Sequence, residues 1–461
     1  MALWKNIFFL LFVFTLVIPL STHVSEESFH QCVDCNVILI SIDTLRADHV
    51  SSYGYFRNTT PNIDSFFSNG FFLMNAFSHT PYTSPSHMSL LTSTYPAVHK
   101  IRNNDQLSTH RLRGLITLAE VLSDNGYKTA AFTGGGNVAR EQGFDRGFQL
   151  FHDGCLIDQV DEDGLEPIFS WIDESKNQKF LLFLHTYIPH DPYVPPRKFN
   201  IFVDPNYSGS LIKTGEEFQE ILQTDNLSNF NGKRKLFWKN MKKTDISDVR
   251  HMISLYDGDI LYADYKLGMI LRYLEENNLV NNSIIILFSD HGEEFMEHGG
   301  FLHEKLYDET LHVPLIIKMP HSDGGVITSP AGLIDVSPTI LEYLGIPAPN
   351  IFQGSSLKPL MESEEGDRII YSQKTNNQVS IRTPKWKYIS LSGDEGLYDL
   401  VSDPNETQDV KLQNTGQTTW FRDNLKEFNS INYKLGQNRY NTDINLTNST
   451  IQRLKELGYA S

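Results

Sequence analysis

A series of largely apolar runs punctuates the chain, Val37–Ile42, Phe180–Leu184, Ile284–Phe288 and Leu315–Ile317, with the more mixed Lys128–Phe132 among them. Continuous and rich in β-branched residues, they read as strands buried on both faces, as in a parallel sheet covered by helices. Phe71–Phe77 reads as a further strand. Between these runs the period changes. Leu115–Ser123, ended by Asn125-Gly126, has helical spacing. So does Ile246–Glu276, through Leu261, Tyr265, Leu267, Ile270, Leu271 and Leu274, with Gly258 as the place for a kink. Thr60-Pro61 opens a short helix closed at Gly70, and Asp335-Val336-Ser337-Pro338 opens another that runs to Leu344-Gly345.

Thr83-Ser84-Pro85-Ser86-His87 opens a helix continued by Met88, Leu90 and Leu91. Thr83 is an N-cap residue type and Pro85 suits a first turn. Beyond Pro347 the texture shifts to short strands, Ile369–Ser372, Val379–Arg382, Trp386–Ser390 and Leu397–Leu400. Thr383-Pro384 and Ser402-Asp403-Pro404 supply their turns. A helix at Ile451–Leu457 is expected to pack on that sheet. The expected fold class is therefore α/β: a large mixed, mostly parallel sheet sandwiched by helices, with a small C-terminal antiparallel sheet plus helix. The expected divisions are 30–347 for the main unit and 348–461 for the C-terminal one. Residues 197–245 are polar, aromatic and weakly periodic, and read as an inserted, lid-like segment.

Residues 1–24 stand apart. Lys5 precedes a 14-residue apolar run, Ile7–Leu20, which reads as a signal peptide or a retained N-terminal anchor. Either places the chain outside the cytoplasm, with membrane association through the N-terminus only. In that setting Cys32-x-x-Cys35 reads as a structural disulfide rather than a redox or zinc motif, although with Cys155 present the pairing stays open. Seven N-x-S/T sequons permit glycosylation. The net charge of −17 excludes a nucleic-acid partner, which would require a basic face.

The chemistry gathers at strand ends, where α/β sheets bind ligands. Asp43 ends the first strand and Ser289-Asp290-His291 ends the Ile284–Phe288 strand. His185 and His190-Asp191 follow Phe180–Leu184 on a proline-stiffened loop, and His298, His303 and His312 follow His291 closely. Two carboxylates, an imidazole and a hydroxyl suit a divalent metal from calcium through manganese to zinc. A metal on the Thr83 hydroxyl would generate a nucleophile and neutralise charge on a phosphoryl or sulfuryl oxygen.

In order and spacing, ILISIDTLRADHVSSYGY (38–55), TSPSHMSLLTSTYP (83–96), PHDPY (189–193), ILFSDHGEEFMEHGG (286–300), LYDETLHVP (306–314) and GLYDLVSDPNE (396–406) resemble the sulfatase family of the alkaline phosphatase superfamily. The resemblance implies an alkaline phosphatase-like fold and a hydrolase of sulfate or phosphate esters. It also implies one divalent metal, calcium by family habit, with manganese and zinc left open. Asp43, Asp290 and His291 fall on the family's metal ligands, with Thr83 as fourth ligand and nucleophile. Thr44 stands where the family often has a second acid. His87 falls on an arginine position, His190 on the histidine of the Pro-His loop, and His303 on a substrate-binding lysine. Thr83, His87, His190 and His303 are thus the expected catalytic residues, and His185 and Arg46 the expected substrate contacts. Sulfatases convert a cysteine or serine to formylglycine. Threonine cannot yield that aldehyde, because its oxidation gives a ketone. Glycines 134–136 replace a sulfate-clamping Gly-Lys-x-His segment. An unmodified threonine suits the superfamily's phosphodiesterases, so phosphorus and sulfur both remain open, on a small-molecule, glycan or lipid ester. Two other readings stand beside hydrolysis: transfer of a phospho-head-group to an exported lipid or glycan, and a non-catalytic, glycan-binding sulfatase-like scaffold.

Overall fold

The computed structural model describes residues 31–438, apart from 102–113, 155, 159–161, 214–216, 219, 222–229, 240, 243–244, 363–365 and 376. The expected N-terminal leader and the helix at Ile451–Leu457 lie outside the described residues. Among the described residues no helix is long and apolar enough to cross a membrane.

Eight strands form the main sheet: β1 (Asn36–Ile42), β2 (Phe71–Leu73), β3 (Lys128–Phe132), β4 (Leu150–His152), β5 (Phe180–Thr186), β6 (Ser283–Phe288), β7 (Leu315–Lys318) and β8 (Gly325–Ile327). Their spatial order is β8-β2-β7-β6-β1-β5-β3-β4. β7 runs antiparallel to both its neighbours, β6 and β2, and every other pairing is parallel. This is the mixed, mostly parallel sheet that the continuous apolar runs predict. The central strands are closed to solvent along their whole length. Burial of each Val, Ile or Leu there contributes about 2 kcal/mol.

Phe71–Phe77 is two strands rather than one. Phe71–Leu73 joins the main sheet, whereas Ala76–Phe77 pairs with Ala331–Gly332. The chain changes sheets there to deliver the following residues to helix α1 (Thr83–Thr92), all ten residues of which are buried. The long helix is present as read, Ile246–Glu276. It packs beside the Pro61–Phe66 helix, whose first N–H groups donate to Asp264 of the long helix.

The C-terminal strands Ile370–Thr375, Gln378–Arg382, Trp386–Leu391 and Asp394–Asp399 form a four-stranded antiparallel sheet in sequence order. A helix at Thr415–Asn438, which the sequence reading did not assign, packs on it. Phe421 stacks on Tyr388 and Phe428 on Tyr371. Its signal was the run Phe421, Phe428, Ile431 and Leu435 on one face, diluted by polar neighbours. Cys32 and Cys35 are joined as a disulfide, and Cys155 lies outside the described residues.

Candidate active site

Three adjacent strands assemble the centre. Asp43 directly follows β1. On one side of β1 lies β5, which ends in His185-Thr186, and on the other β6, followed by Ser289-Asp290-His291. The Asp43 N–H donates to the Thr186 carbonyl at 3.0 Å, which extends the ladder one residue past the strand. Ligand-type atoms of Asp43, Asp290 and His291 all lie within 4.8 Å of one another. Nε2 of His291 is 3.4 Å from Oδ2 of Asp290 and 4.0 Å from Oδ1 of Asp43.

These groups are buried, and they lack ordinary partners. Both oxygens of Asp43 and Oδ2 of Asp290 have no hydrogen bond of normal geometry. Burial, and then the neighbouring Asp43, pushes Asp290 up to about 7. Burial likewise raises Asp43 to about 6, against the opposing effects of His190 and the Thr83 hydroxyl. Burial lowers His291 to about 3. Two buried acids this close resist joint ionisation unless a cation lies between them. Orphaned carboxylate oxygens and a neutral imidazole nitrogen are the donors a divalent cation takes. Nδ1 of His291 sits 3.0 Å from the Gly292 carbonyl, so that nitrogen carries the hydrogen and Nε2 presents its lone pair to the cluster. The donor set fits a divalent metal.

Thr83 Oγ1 lies 3.3 Å from that same Nε2. Thr83 is the first helical residue rather than the cap. Tyr82 holds the cap position and makes no side-chain capping bond. The Thr83 hydroxyl therefore faces the cluster instead of its own helix. The start of the helix is pinned from three sides. Ser86 Oγ donates to the Asp290 carbonyl at 2.7 Å, Ser84 Oγ donates to the Asn137 carbonyl at 2.7 Å, and Ser78 Oγ lies 3.0 Å from Ser86 Oγ. Thr44 has φ +57, a costly setting for a β-branched residue, and its N–H donates to Oδ1 of Asp290 at 3.3 Å.

The histidines divide into two groups. His87 has both nitrogens engaged within the protein. Nδ1 donates to the Thr83 carbonyl at 2.9 Å, and Nε2 accepts from Ser41 Oγ at 2.8 Å. Burial holds it neutral, lowered to about 4. With both nitrogens engaged within the protein, it ties the start of the helix to β1. His185 has one nitrogen engaged. Its Nδ1 accepts from the Gly134 N–H at 3.1 Å, and its Nε2, 3.6 Å from Oδ2 of Asp43, makes no hydrogen bond of normal geometry. The glycine run explains that approach, because a Cβ on Gly134 would lie 2.4 Å from the Tyr187 ring.

His190 and His303 form the second group, beside the cluster. The His303 ring centre is 4.4 Å from that of His291 and 5.8 Å from that of His190. His303 Nδ1 donates to the Pro81 carbonyl at 2.8 Å, and burial lowers its pKa well below the usual histidine range. His190 Nδ1 lies 2.9 Å from the Asp191 carbonyl and 3.3 Å from Asp191 Oδ1.

Arg46 is elsewhere. Its guanidinium pairs with Asp48 at 2.7 Å and with Glu297, and donates to the Glu293 carbonyl at 3.0 Å. It lines a polar cavity of 580 Å³ with Asp308, Arg382 and Glu406, whose lining does not include Asp43, Thr83, Asp290 or His291. The structure thus pairs Arg46 with two acids rather than bringing it to the Asp43–Asp290–His291 cluster. Ser41, Ser86 and Asp191 were not given roles by the sequence. Their signal was proximity to strand ends and to His190, but a lone serine or loop aspartate carries no spacing that singles it out.

Comparison with known proteins identifies the family. Residues 35–346 match the sulfatase family model, and 296–429 match the model described as N-sulphoglucosamine sulphohydrolase, C-terminal. A sulfatase of Formosa agariphila is 26% identical over 435 residues, covering 80% of this chain and 82% of its own. Arylsulfatase K of Bos taurus is 25% identical, covering 86% and 82%. The phosphonate monoester hydrolase of Agrobacterium radiobacter superposes with a TM-score of 0.70 at 19% identity, covering 86% of this chain and 96% of its own. A structure in complex with its substrate D-glucosamine-2-N,6-O-disulfate superposes with a TM-score of 0.70 at 21% identity, covering 87% and 98%. At such identities the superpositions speak for the fold, and the family match carries the rest: this chain belongs to the sulfatase family and is a hydrolase of ester bonds.

Proposed function

We propose that this protein hydrolyses a sulfate or phosphate ester outside the cytoplasm, through the unmodified hydroxyl of Thr83 and one divalent metal held by Asp43, Asp290, His291 and Thr83. The observation that carries it is the Thr83 hydroxyl 3.3 Å from Nε2 of His291, beside three orphaned carboxylate oxygens. When bound, such a metal lowers the pKa of the hydroxyl and offsets charge on the ester oxygens.

The chain's own residues supply the remainder. Thr83 Oγ1 attacks phosphorus or sulfur and the bond to the leaving oxygen breaks, giving a phospho- or sulfothreonine that water then hydrolyses. His303, kept neutral by burial, has Nε2 as a proton acceptor for the Thr83 hydroxyl. His190 donates a proton to the leaving oxygen, with Asp191 Oδ1 beside its Nδ1. The positive end of the helix dipole at the start of Thr83–Thr92 favours an anion there. His87 and His303 stand where sulfatases place an arginine and a lysine, and Thr83 cannot become formylglycine, which favours phosphorus over sulfur. The apolar run Ile7–Leu20 behind Lys5 supports export.

The test is a panel of p-nitrophenyl sulfate, phosphate, phosphonate and a bis-p-nitrophenyl phosphodiester, assayed with calcium, manganese and zinc on wild type and Thr83→Ala. Turnover of a phosphorus ester that disappears in Thr83→Ala is expected. Turnover that survives Thr83→Ala defeats the threonine mechanism.

A further inference from the structure

The histidine read here as proton donor is tied to the inserted segment by one buried carboxylate. Asp191 is closed to solvent. Its Oδ2 accepts the Nε–H of Arg234 at 2.8 Å and the Nε1–H of Trp238 at 2.8 Å. Both donors come from helix α2 (Phe230–Lys239), one turn apart on a single face. Its Oδ1 has no hydrogen bond of normal geometry and lies 3.3 Å from Nδ1 of His190. The same helix touches both histidine-bearing loops. Trp238 packs on Phe301 at 5.3 Å, two residues before His303, and Phe237 meets the edge of Tyr193 at 5.7 Å.

The surroundings make this arrangement dependent on its two donors. Glu293 is buried with neither oxygen in a hydrogen bond of normal geometry. Arg234 is the cation paired with Asp191. Without Arg234 and Trp238, Oδ2 of Asp191 would be a buried carboxylate oxygen stripped of both its donors. His190 Nδ1 lies 2.9 Å from the Asp191 carbonyl and 3.3 Å from its Oδ1, so an Asp191 fixed at both its main chain and its carboxylate holds the imidazole in one orientation.

We infer that Arg234, Trp238 and Asp191 are positioning residues for His190, so that the inserted segment governs proton delivery to the leaving group. The inference rests on the reading of His190 as proton donor. Its consequence is selective. An ester with a poor leaving group needs the proton, whereas p-nitrophenolate leaves without it. A contact that merely held the segment in place would affect both alike.

The experiment compares wild type, Trp238→Phe, Arg234→Met and Arg234→Lys on an alkyl and a p-nitrophenyl ester of the same acid. Trp238→Phe keeps an aromatic ring beside Phe301 while removing the N–H along with part of the indole. We expect kcat on the alkyl ester to fall about 10-fold or more in Trp238→Phe and Arg234→Met, with p-nitrophenyl turnover and KM within about 3-fold of wild type, and partial rescue in Arg234→Lys. Equal losses on both esters overturn the inference and leave the threonine mechanism standing. Amide hydrogen exchange across residues 186–194 in the same variants decides the point without turnover. Faster exchange in Trp238→Phe and Arg234→Met is expected. Unchanged exchange there overturns the inference even in a protein that shows no hydrolysis.

Discussion

The hydroxyl of Thr83 and Nε2 of His291 face one another across 3.3 Å, and the second nitrogen of His291 is committed to the Gly292 carbonyl. A hydroxyl so placed is both a ligand and a nucleophile, and the two roles separate by substitution. Thr83→Ala should lower kcat by more than about 1,000-fold, at a stability cost of about 1 kcal/mol for the lost hydrogen bond. Thr83→Ser keeps the oxygen and should stay within about 10-fold of wild type. Steady-state rates with urea denaturation of each variant check both halves. A Thr83→Ala protein that is unfolded would explain the loss trivially.

Metal dependence carries a pH signature. Without a cation, burial raises Asp290 to about 7 and Asp43 to about 6, above their unfolded values. At these two acids the folded state then binds more protons than the unfolded one between about pH 4 and 7. The contribution of these acids to stability is therefore greatest below the unfolded values, and declines as pH rises through the folded ones. A divalent cation reverses this by favouring both carboxylates ionised. Adding metal to chelator-treated protein should raise Tm by a few degrees at pH 8 and by much less at pH 5. Scanning calorimetry at the two pH values is the measurement. An equal rise at both would place the ion elsewhere.

The central sheet was legible because fully buried parallel strands write themselves as unbroken apolar runs, and Asp43 and Asp290-His291 were legible as polar residues closing those runs. What each histidine does was not. His87 follows Thr83 in a motif whose spacing suggests partnership in chemistry. Four residues on a helix is also the spacing at which a side chain reaches back to a carbonyl, and that is what the ring does. Arg46 sits three residues past Asp43, but the left-handed turn at Thr44 and the short helix at Ala47–His49 carry its side chain to Asp48 and Glu297. Such outcomes depend on χ angles and on partners such as Ser41, 46 residues from His87, and Glu297, 251 residues from Arg46, which no local pattern encodes.

The expected substrate role of Arg46 can be tested directly. Its side chain is buried, but Asp48 and Glu297 keep access to water and can be resolvated when it is removed. Arg46→Met should therefore cost stability by about 1–2 kcal/mol rather than the larger toll of breaking a fully buried pair. If Arg46 does not touch substrate, KM should stay within about 3-fold of wild type. A KM rise of 10-fold or more with unchanged Tm would restore the role that the sequence suggested.

The C-terminal sheet is joined to the loop after His303 by Lys387, whose Nζ lies 2.6 Å from Oδ1 of Asp308 and 2.9 Å from Oε1 of Glu406. Arg382 Nε lies 3.2 Å from Oδ2 of Asp308. Burial opposes every charge here, yet Lys387 and Arg382 hold Asp308 far below the usual carboxylate range, while Glu406 is pushed up to about 7 by burial against the pull of Lys387. Lys387→Met removes the cation that serves both acids and should destabilise by about 3–5 kcal/mol, because it leaves buried charge unmatched. Glu406 would then titrate higher still. Its raised value means stability lost as pH climbs above the unfolded carboxylate range, so the deficit should be larger at pH 8 than at pH 5. Lys387→Met combined with Glu406→Leu removes the unmatched acid and should recover part of the loss. Urea denaturation of wild type, single and double variants at the two pH values measures this. Equal deficits at both pH values, or a double variant no more stable than the single, would show that Glu406 does not depend on Lys387 for its charge.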